Sequence, residues 1–222
     1  MSSICRLLVA LSATAGSLAS PVSITERSLP NFVLRRDNGT LARRQSPDYN
    51  QDYTTGGTVD YTPSGSSYSV TWDTTDDFVV GVGWETGDTT AITFDGTFTV
   101  SSGLGSLAVY GWTTNPLVEY YIIEDNVDDG GSGTEKGTVT SDGSSYTIYE
   151  NTRTNEPSIE GTSTFNQYIS VRSSTRTSGT VTLENHFNAW AELGMDLGSF
   201  SYQVVAVESW SGSGSAKQTV SK

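Results

Sequence analysis

The feature that most constrains the fold is a set of short runs in which apolar or aromatic residues alternate with polar ones. In residues 67–72, for example, Tyr68, Val70 and Trp72 would share one face of a strand. Serine, threonine, glycine, tyrosine and valine are frequent and leucine and lysine are few, a composition typical of strands and turns. The pattern predicts strands over residues 67–72, 78–84, 91–94, 96–100, 107–112, 118–123, 146–149, 165–171 and 202–207. Glycines that follow aspartates predict turns at 95–96, 129–131 and 142–143.

One segment has helical rather than strand spacing. In residues 184–194, Phe187, Trp190 and Ala191 recur on one helical face, and Gly194 would cap the end of the helix. One helix in an otherwise all-β chain predicts a two-sheet sandwich with a single α-helix packed on one sheet. The sequence shows no internal repeat and no second folded domain.

The first 44 residues are predicted to be processed rather than folded with the rest. Residues 1–19 resemble a secretory signal peptide, with Arg6 before an apolar run and small residues at the end. Residues 20–44 are predicted to be a propeptide that ends in the dibasic pair Arg43-Arg44, so the mature chain would begin at Gln45. The glycosylation sequon at Asn38 lies in the part expected to be removed. The catalytic domain would therefore be residues 45–222, and the protein would be secreted and extracellular.

Charge and cysteine content exclude several classes of function. The one cysteine, Cys5, lies in the predicted signal, so the mature chain would have neither a disulfide nor a thiol nucleophile. His186 is the one histidine, which argues against a histidine-rich zinc site. Residues 45–222 hold 6 basic and 23 acidic residues, a net charge of −17. Such a surface is a poor partner for nucleic acid or an anionic membrane. The negative charge is expected of a protein that works in acid, where many carboxylates are neutral, or it serves only to keep the protein soluble.

Two glutamates lie inside runs of strand-forming residues. Glu119 falls within 116–121 and Glu208 within 205–210, and aromatic residues frame both. A carboxylate in a strand interior is costly to bury unless chemistry or a partner compensates for it. Glycoside hydrolysis uses such a pair, with one carboxyl as acid/base and the other as nucleophile or base.

Several collinear motifs resemble those of the glycoside hydrolase family 11 endo-1,4-β-xylanases. They are residues 110–112, 116–121, 156–162, 165–168, 170–172, 186–190 and 202–208, and the similarity extends from about Tyr49 to the end of the chain. The resemblance implies a β-jelly roll, likened to a right hand, with a cleft for xylan. It also implies an enzyme that uses no cofactor and no metal.

The resemblance assigns roles to three carboxyl groups. Glu119 would be the nucleophile that forms a glycosyl-enzyme ester, and Glu208 the acid/base of a retaining double displacement. The charge of Glu119 should raise the pKa of Glu208 and keep it protonated. Asp77 matches a position that faces the acid/base and is Asp in acid-active members, so it would tune Glu208 and give an acidic pH optimum.

Substrate-binding residues are implied in the same way. Tyr110 and Tyr121 resemble tyrosines that hold the sugar beside the nucleophile. Tyr202 resembles a tyrosine that lines the cleft on the same side. Arg153 and Gln167 match polar residues that contact the sugar or orient Glu119. Pro157 belongs to residues 157–161, which resemble the tip of the family's thumb, a hairpin over the cleft that would open for release.

The chain departs from the family pattern at two positions. Many relatives carry a tryptophan in the first strands that stacks on a distal sugar, whereas residues 53–61 have none. Tyr53 or Tyr61 could take its place. Ile169 stands where an aromatic residue is frequent, and we interpret it as a packing residue.

The predicted function is endo-hydrolysis of internal β-1,4 bonds in xylan by a secreted, monomeric enzyme. A β-1,4-glucanase is the alternative enzyme, and a cleft crowded by tyrosines would exclude the hydroxymethyl group that distinguishes glucose from xylose. A carbohydrate-binding module is the alternative of another class, because jelly rolls often only bind. Proteinaceous inhibitors could occupy the same cleft, and the sequence is silent on whether any does.

Overall fold

The computed structural model describes residues 45–127 and 133–222. The predicted signal peptide, the propeptide, its cleavage before Gln45, the sequon at Asn38 and the turn at 129–131 therefore fall outside the described residues. No helix in the described ranges has the length and apolar character needed to cross a membrane.

The described residues form two β-sheets and one α-helix. The strands are β1 (Tyr49–Thr54), β2 (Thr58–Ser64), β3 (Ser67–Thr74), β4 (Phe78–Trp84), β5 (Ile92–Gly103), β6 (Gly105–Thr114), β7 (Val118–Val127), β8 (Thr134–Ser141), β9 (Ser144–Ser158), β10 (Gly161–Arg172), β11 (Gly179–Val181), β12 (Ser199–Ser209) and β13 (Gly212–Ser221), and the helix is α1 (Leu183–Glu192).

The larger sheet has eight strands in the order β1-β4-β12-β6-β7-β10-β9-β8, and the smaller has five in the order β11-β5-β13-β3-β2. The pairing of β7 with β10 is parallel, and the other strand pairs are antiparallel. The predicted all-β jelly-roll sandwich with a single helix is thereby confirmed for the part of the chain that the structure describes.

The larger sheet buries side chains on both of its faces. Along β7, Val118, Tyr120 and Ile122 point into the main core between the sheets. Tyr121 and Ile123 alternate with them and join a second cluster on the opposite face. Because one face packs against the smaller sheet and the helix, the second face is left to line a cleft. Glu119, which alternates along β7 with Val118 and Tyr120, is therefore directed into that cleft.

The helix packs on the core face of the larger sheet, as its spacing predicts. Trp190 contacts Tyr120 and Tyr168 of the sheet and donates a 3.0 Å hydrogen bond to Ser170 Oγ. The helix ends in a Schellman motif, in which the N–H of Met195 bonds to the carbonyl of Trp190 and Gly194 has φ +75°. The capping role predicted for Gly194 is confirmed.

Of the two predicted turns that the structure describes, one is confirmed and one is wrong. Asp142 and Gly143 join β8 to β9 with φ values of +49° and +77°, which a two-residue hairpin turn requires. Asp95 and Gly96 instead lie inside β5. A Cβ at position 96 would come within 1.8 Å of the Lys217 carbonyl oxygen of β13. Gly96 is therefore needed for the close approach of two strands, not for a turn.

Candidate active site

The sheet places both glutamates on the cleft face. Glu119 is the second residue of β7 and lies opposite Trp112 of β6 and Gln167 of β10. Glu208 is the last but one residue of β12 and lies opposite Val79 of β4. Strand alternation accounts for both orientations, because the neighbours Val118 and Val207 point into the main core.

The cleft has a volume of about 470 Å³. It brings together all nine side chains predicted to carry out catalysis or to bind substrate: Asp77, Tyr110, Glu119, Tyr121, Arg153, Pro157, Gln167, Tyr202 and Glu208. These residues come from strands that are far apart in sequence, and the order of strands in the larger sheet makes them neighbours.

The carboxyl group of Glu119 is held by three donated hydrogen bonds. Tyr110 and Tyr121 donate their hydroxyls to Oε1 at 2.8 and 3.1 Å. Gln167 donates Nε2 to Oε2 at 2.7 Å. Hydrogen bonds of this kind stabilise an ionised carboxylate and fix its orientation.

The two glutamates have different electrostatic environments. Burial raises the pKa of Glu119, while the bonds from Gln167, Tyr110 and Tyr121 and the charge of Arg153 oppose that rise. Burial also raises the pKa of Glu208, and the neighbouring charges of Asp77 and Glu119 raise it further, to well above its usual range. The hydrogen bonds favour the ionised form of Glu119, and the neighbouring negative charges favour the protonated form of Glu208. This division suits a pair in which one carboxyl is ionised and the other carries a proton.

Asp77 is held at the start of β4 by its backbone. Its carbonyl accepts hydrogen bonds from the N–H and hydroxyl of Thr55, at 2.9 and 2.8 Å. Within residues 45–127 and 133–222, the buried Oδ1 of Asp77 has no hydrogen-bond partner. Burial raises the pKa of Asp77, and Arg153 counteracts this. The carboxyl of Asp77 thus lines the cleft with one oxygen that no described side chain or backbone group contacts by a hydrogen bond.

A chain of aromatic rings forms one wall of the cleft. Tyr110 contacts Tyr121 and Tyr202, with ring centroids 4.9 and 5.9 Å apart. Tyr202 in turn stacks on Tyr49 at 4.8 Å and an interplanar angle of 20°. Trp112 donates its indole N–H to the Tyr110 hydroxyl at 2.7 Å. The tyrosines thus present ring faces and hydroxyls to the same space, which suits a sugar ring.

Sequence reasoning missed several residues that line the cleft. These include Tyr49, Gln51, Val79, Trp112 and Phe165. Of the two tyrosines proposed for the outer part of the cleft, Tyr53 lines it, whereas Tyr61 donates its hydroxyl to the Gly81 carbonyl and contacts Tyr68 of the main core. Ile169 packs in the cluster on the cleft face, as interpreted from the sequence.

The segment that resembles a thumb is the hairpin joining β9 to β10. Its tip is fixed by Ser158, whose hydroxyl donates to the Gly161 carbonyl at 2.6 Å and accepts from the Glu160 N–H at 3.0 Å. Gly161 has φ +84°, which favours glycine at this position. Pro157 and the exposed side chain of Ile159 extend into the lining of the cleft.

A β-sandwich whose cleft surrounds two such carboxyls with tyrosines has the features of a glycoside hydrolase. The model of the glycosyl hydrolases family 11 matches residues 45–219. The chain belongs to this family, and the resemblance stated from the sequence is confirmed.

Named relatives agree with the family match. The chain is 64% identical to ethylene-inducing xylanase 2 of Botryotinia fuckeliana over 97% of both chains. It is 61% identical to endo-1,4-beta-xylanase 1 of Hypocrea jecorina, again over 97% of both. A solved structure from a comparison of two major endo-1,4-beta-xylanases of Trichoderma reesei shares 67% identity and superposes with a TM-score of 0.79, covering 80% of this chain and all of the other.

Proposed function

We propose that the protein is a secreted endo-1,4-β-xylanase that hydrolyses internal bonds of the xylan backbone with retention of configuration. The relatives named as xylanases, at 61 and 64% identity over nearly the whole chain, support the substrate class. The single observation that carries the proposed mechanism is that one cleft holds two carboxyls in unequal environments.

In this mechanism Glu119 is the nucleophile. Its carboxylate attacks the anomeric carbon while Glu208 gives its proton to the leaving oxygen, and a glycosyl-enzyme ester results. The ester has no charge, so the pKa of Glu208 falls. Glu208 then accepts a proton from water as the water oxygen bonds to the anomeric carbon, and the ester bond breaks to restore the Glu119 carboxylate. The double displacement requires the two carboxyls to lie about 5–5.5 Å apart.

The remaining predicted residues bind the substrate. Tyr110, Tyr121 and Tyr202 supply ring faces and hydroxyls, and Gln167 orients Glu119 through its 2.7 Å hydrogen bond. Arg153 is about half exposed on the cleft side of β9, and its 3.6 Å contact with Glu156 is a surface ion pair of little energetic value. Arg153 is therefore free to contact the sugar. Pro157 would contact the xylan chain from the thumb. The thumb would open to release the product.

We also propose an acidic pH optimum, set by Asp77. The enzyme would act as a monomer without cofactor or metal, after cleavage before Gln45. It would interact neither with nucleic acid nor with a membrane, because its mature surface carries a net charge of −17. The cleft is also where a proteinaceous inhibitor would act.

The test is the release of reducing sugar from xylan and from soluble cellulose between pH 2 and pH 8. The Glu119→Gln variant has nearly the same shape but cannot form the ester, so its activity should fall to background. Cleavage of xylan that peaks in acid and is lost in the variant would support the proposal. Xylan binding without turnover by the wild type would reduce the protein to a binding module, and preferential cleavage of cellulose would make it a glucanase.

A further inference from the structure

The side-chain amide of Gln167 lies between Glu119 and Asn151. Its Nε2 donates to Glu119 Oε2 at 2.7 Å, and its Oε1 accepts from Asn151 Nδ2 at 2.9 Å. Asn151 and Gln167 are directly opposite each other on β9 and β10. The two hydrogen bonds therefore form a relay that crosses from one strand to the next.

The relay has a required direction. An ionised carboxylate can only accept hydrogen bonds, so Gln167 must turn its NH₂ group toward Glu119. An amide that rotated by half a turn would present its oxygen instead, which repels a carboxylate and favours a protonated carboxylic acid. With Asn151 directing its NH₂ group at Gln167, that rotation would set two NH₂ groups against each other, so Asn151 disfavours it.

We propose that Asn151 is a positioning residue for the nucleophile, acting through Gln167. Asn151 is half-buried and is not among the residues that line the cleft, so it reaches Glu119 only indirectly. The inference rests on the proposed function, in which Glu119 attacks as a carboxylate. By selecting one orientation of the Gln167 amide, Asn151 favours the ionised form of Glu119.

Other groups also act on Glu119 and must be held constant in any test. The titratable or charged side chains that line the cleft around it are Tyr49, Tyr53, Asp77, Tyr110, Tyr121, Arg153, Glu156, Tyr202 and Glu208. None of these is altered by a substitution at position 151. A pH effect of such a substitution that disappears in the absence of Gln167 can therefore be assigned to the relay.

The test is the Asn151→Asp variant, which replaces the amide donor with an acceptor of nearly the same shape. Gln167 should rotate to donate to the carboxylate introduced at position 151 and turn its oxygen toward Glu119. The expected results are a fall in kcat of about tenfold, equivalent to about 1.4 kcal/mol, a nearly unchanged KM, and an acidic limb of kcat/KM moved to higher pH. The Asn151→Ala variant, which only releases Gln167, should lose less activity and shift the limb less.

Two further variants separate the relay from a direct charge effect. In the Gln167→Ala background, Asn151→Asp should cause no further shift of the acidic limb, because the coupling between the two positions is gone. Asn155→Asp is the matched control: Asn155 lies four residues further along β9, is exposed and does not line the cleft. Its pH profile should match the wild type.

A folded Asn151→Asp protein with the wild-type pH profile would overturn the proposal, and so would a shift that persists without Gln167. The failure of the proposed function would look different. A 2-fluoro xyloside should form an ester with Glu119 that mass spectrometry detects in the wild type. If no ester forms, the nucleophile assignment fails; if it forms and position 151 has no effect, only the relay fails.

Discussion

At the scale of single residues, we predict that the working pH of the enzyme depends on the charge of Asp77. While Asp77 is ionised, it raises the pKa of Glu208, and an acid of high pKa is a weak proton donor. As the pH falls, Asp77 takes up a proton and Glu208 becomes a stronger acid. Asp77→Asn removes the need for that protonation, so the pH optimum of kcat/KM should move upward by about 1 unit or more.

The control for this prediction is Asp76→Asn, which removes a carboxylate from the exposed neighbouring residue. Its pH profile on xylan should superimpose on that of the wild type. An unchanged profile for Asp77→Asn would refute the role of Asp77, and equal shifts for both variants would point to overall charge instead.

The sequence identified the two glutamates because a charged residue in an apolar strand is exceptional. It could not identify Trp112 or Asn151, because their contacts arise from pairing. Trp112 packs on Phe165, 53 positions away on β10, and Asn151 faces a residue 16 positions away on the next strand. Nothing local distinguishes such an asparagine from any other in a polar segment. The same limit applied to Tyr53 and Tyr61, whose different locations depend on which sheet each strand joins.

At the scale of elements, the tip of the thumb hairpin is predicted to control substrate affinity. The Ser158→Ala variant loses both hydrogen bonds that fix the tip, while Ile159 at the tip lines the cleft. One lost hydrogen bond costs about 0.5–1.5 kcal/mol, so KM for a xylo-oligosaccharide should rise about two- to tenfold. Steady-state kinetics should show kcat unchanged or raised, because a looser thumb does not slow release.

The matched control is Ser145→Ala, at an exposed position near the other end of β9. It should leave both kinetic constants unchanged. A Ser158→Ala variant with wild-type KM would mean that the hairpin is held rigidly by its strands alone.

The elements that the sequence predicted are those with their own apolar alternation. Strand β13 has almost none, since only Ala216, Gln218 and Val220 are buried in a run of small and polar residues. It is a strand because β3 and β5 pair with it on either side. Gly96 misled the turn prediction for the same reason, since its small size serves the approach of β13. Strands defined by their neighbours cannot be found from local patterns.

At the scale of the whole molecule, the cleft carboxyls make the fold more stable in acid. Asp77, Glu119 and Glu208 all have raised pKa values in the folded state. The folded protein therefore binds their protons more tightly than the unfolded chain does, and their contribution to stability is lost as the pH rises through the folded pKa values. This direction agrees with the proposed acidic pH optimum and with the net charge of −17 on residues 45–222.

His186 acts in the opposite direction and sets a lower limit to acid stability. Its ring is completely buried between the helix and Tyr146, and neither nitrogen has a hydrogen-bond partner within the described ranges. Burial, helped by the charges of Arg172 and Arg176, lowers its pKa from 6.5 to about 4. Because the folded pKa is depressed, the neutral ring contributes stability above pH 6.5 that is lost as the pH falls to about 4.

The Phe variant of this histidine isolates the effect. His186→Phe keeps an aromatic ring against Tyr146 and Trp190 but cannot titrate. At about 1.4 kcal/mol per pKa unit, the wild type should lose about 3 kcal/mol relative to the variant between pH 7 and pH 3, measured by denaturant unfolding at both pH values. Asn188→Ala, on the exposed face of the same helix, should show no such pH-dependent difference.

A stability difference between wild type and His186→Phe that does not change with pH would mean that the folded state accommodates the imidazolium. The lower limit to acid stability would then come from carboxylates whose pKa is lowered in the folded state, such as Asp88, where hydrogen bonds with Lys222 and Thr90 outweigh burial.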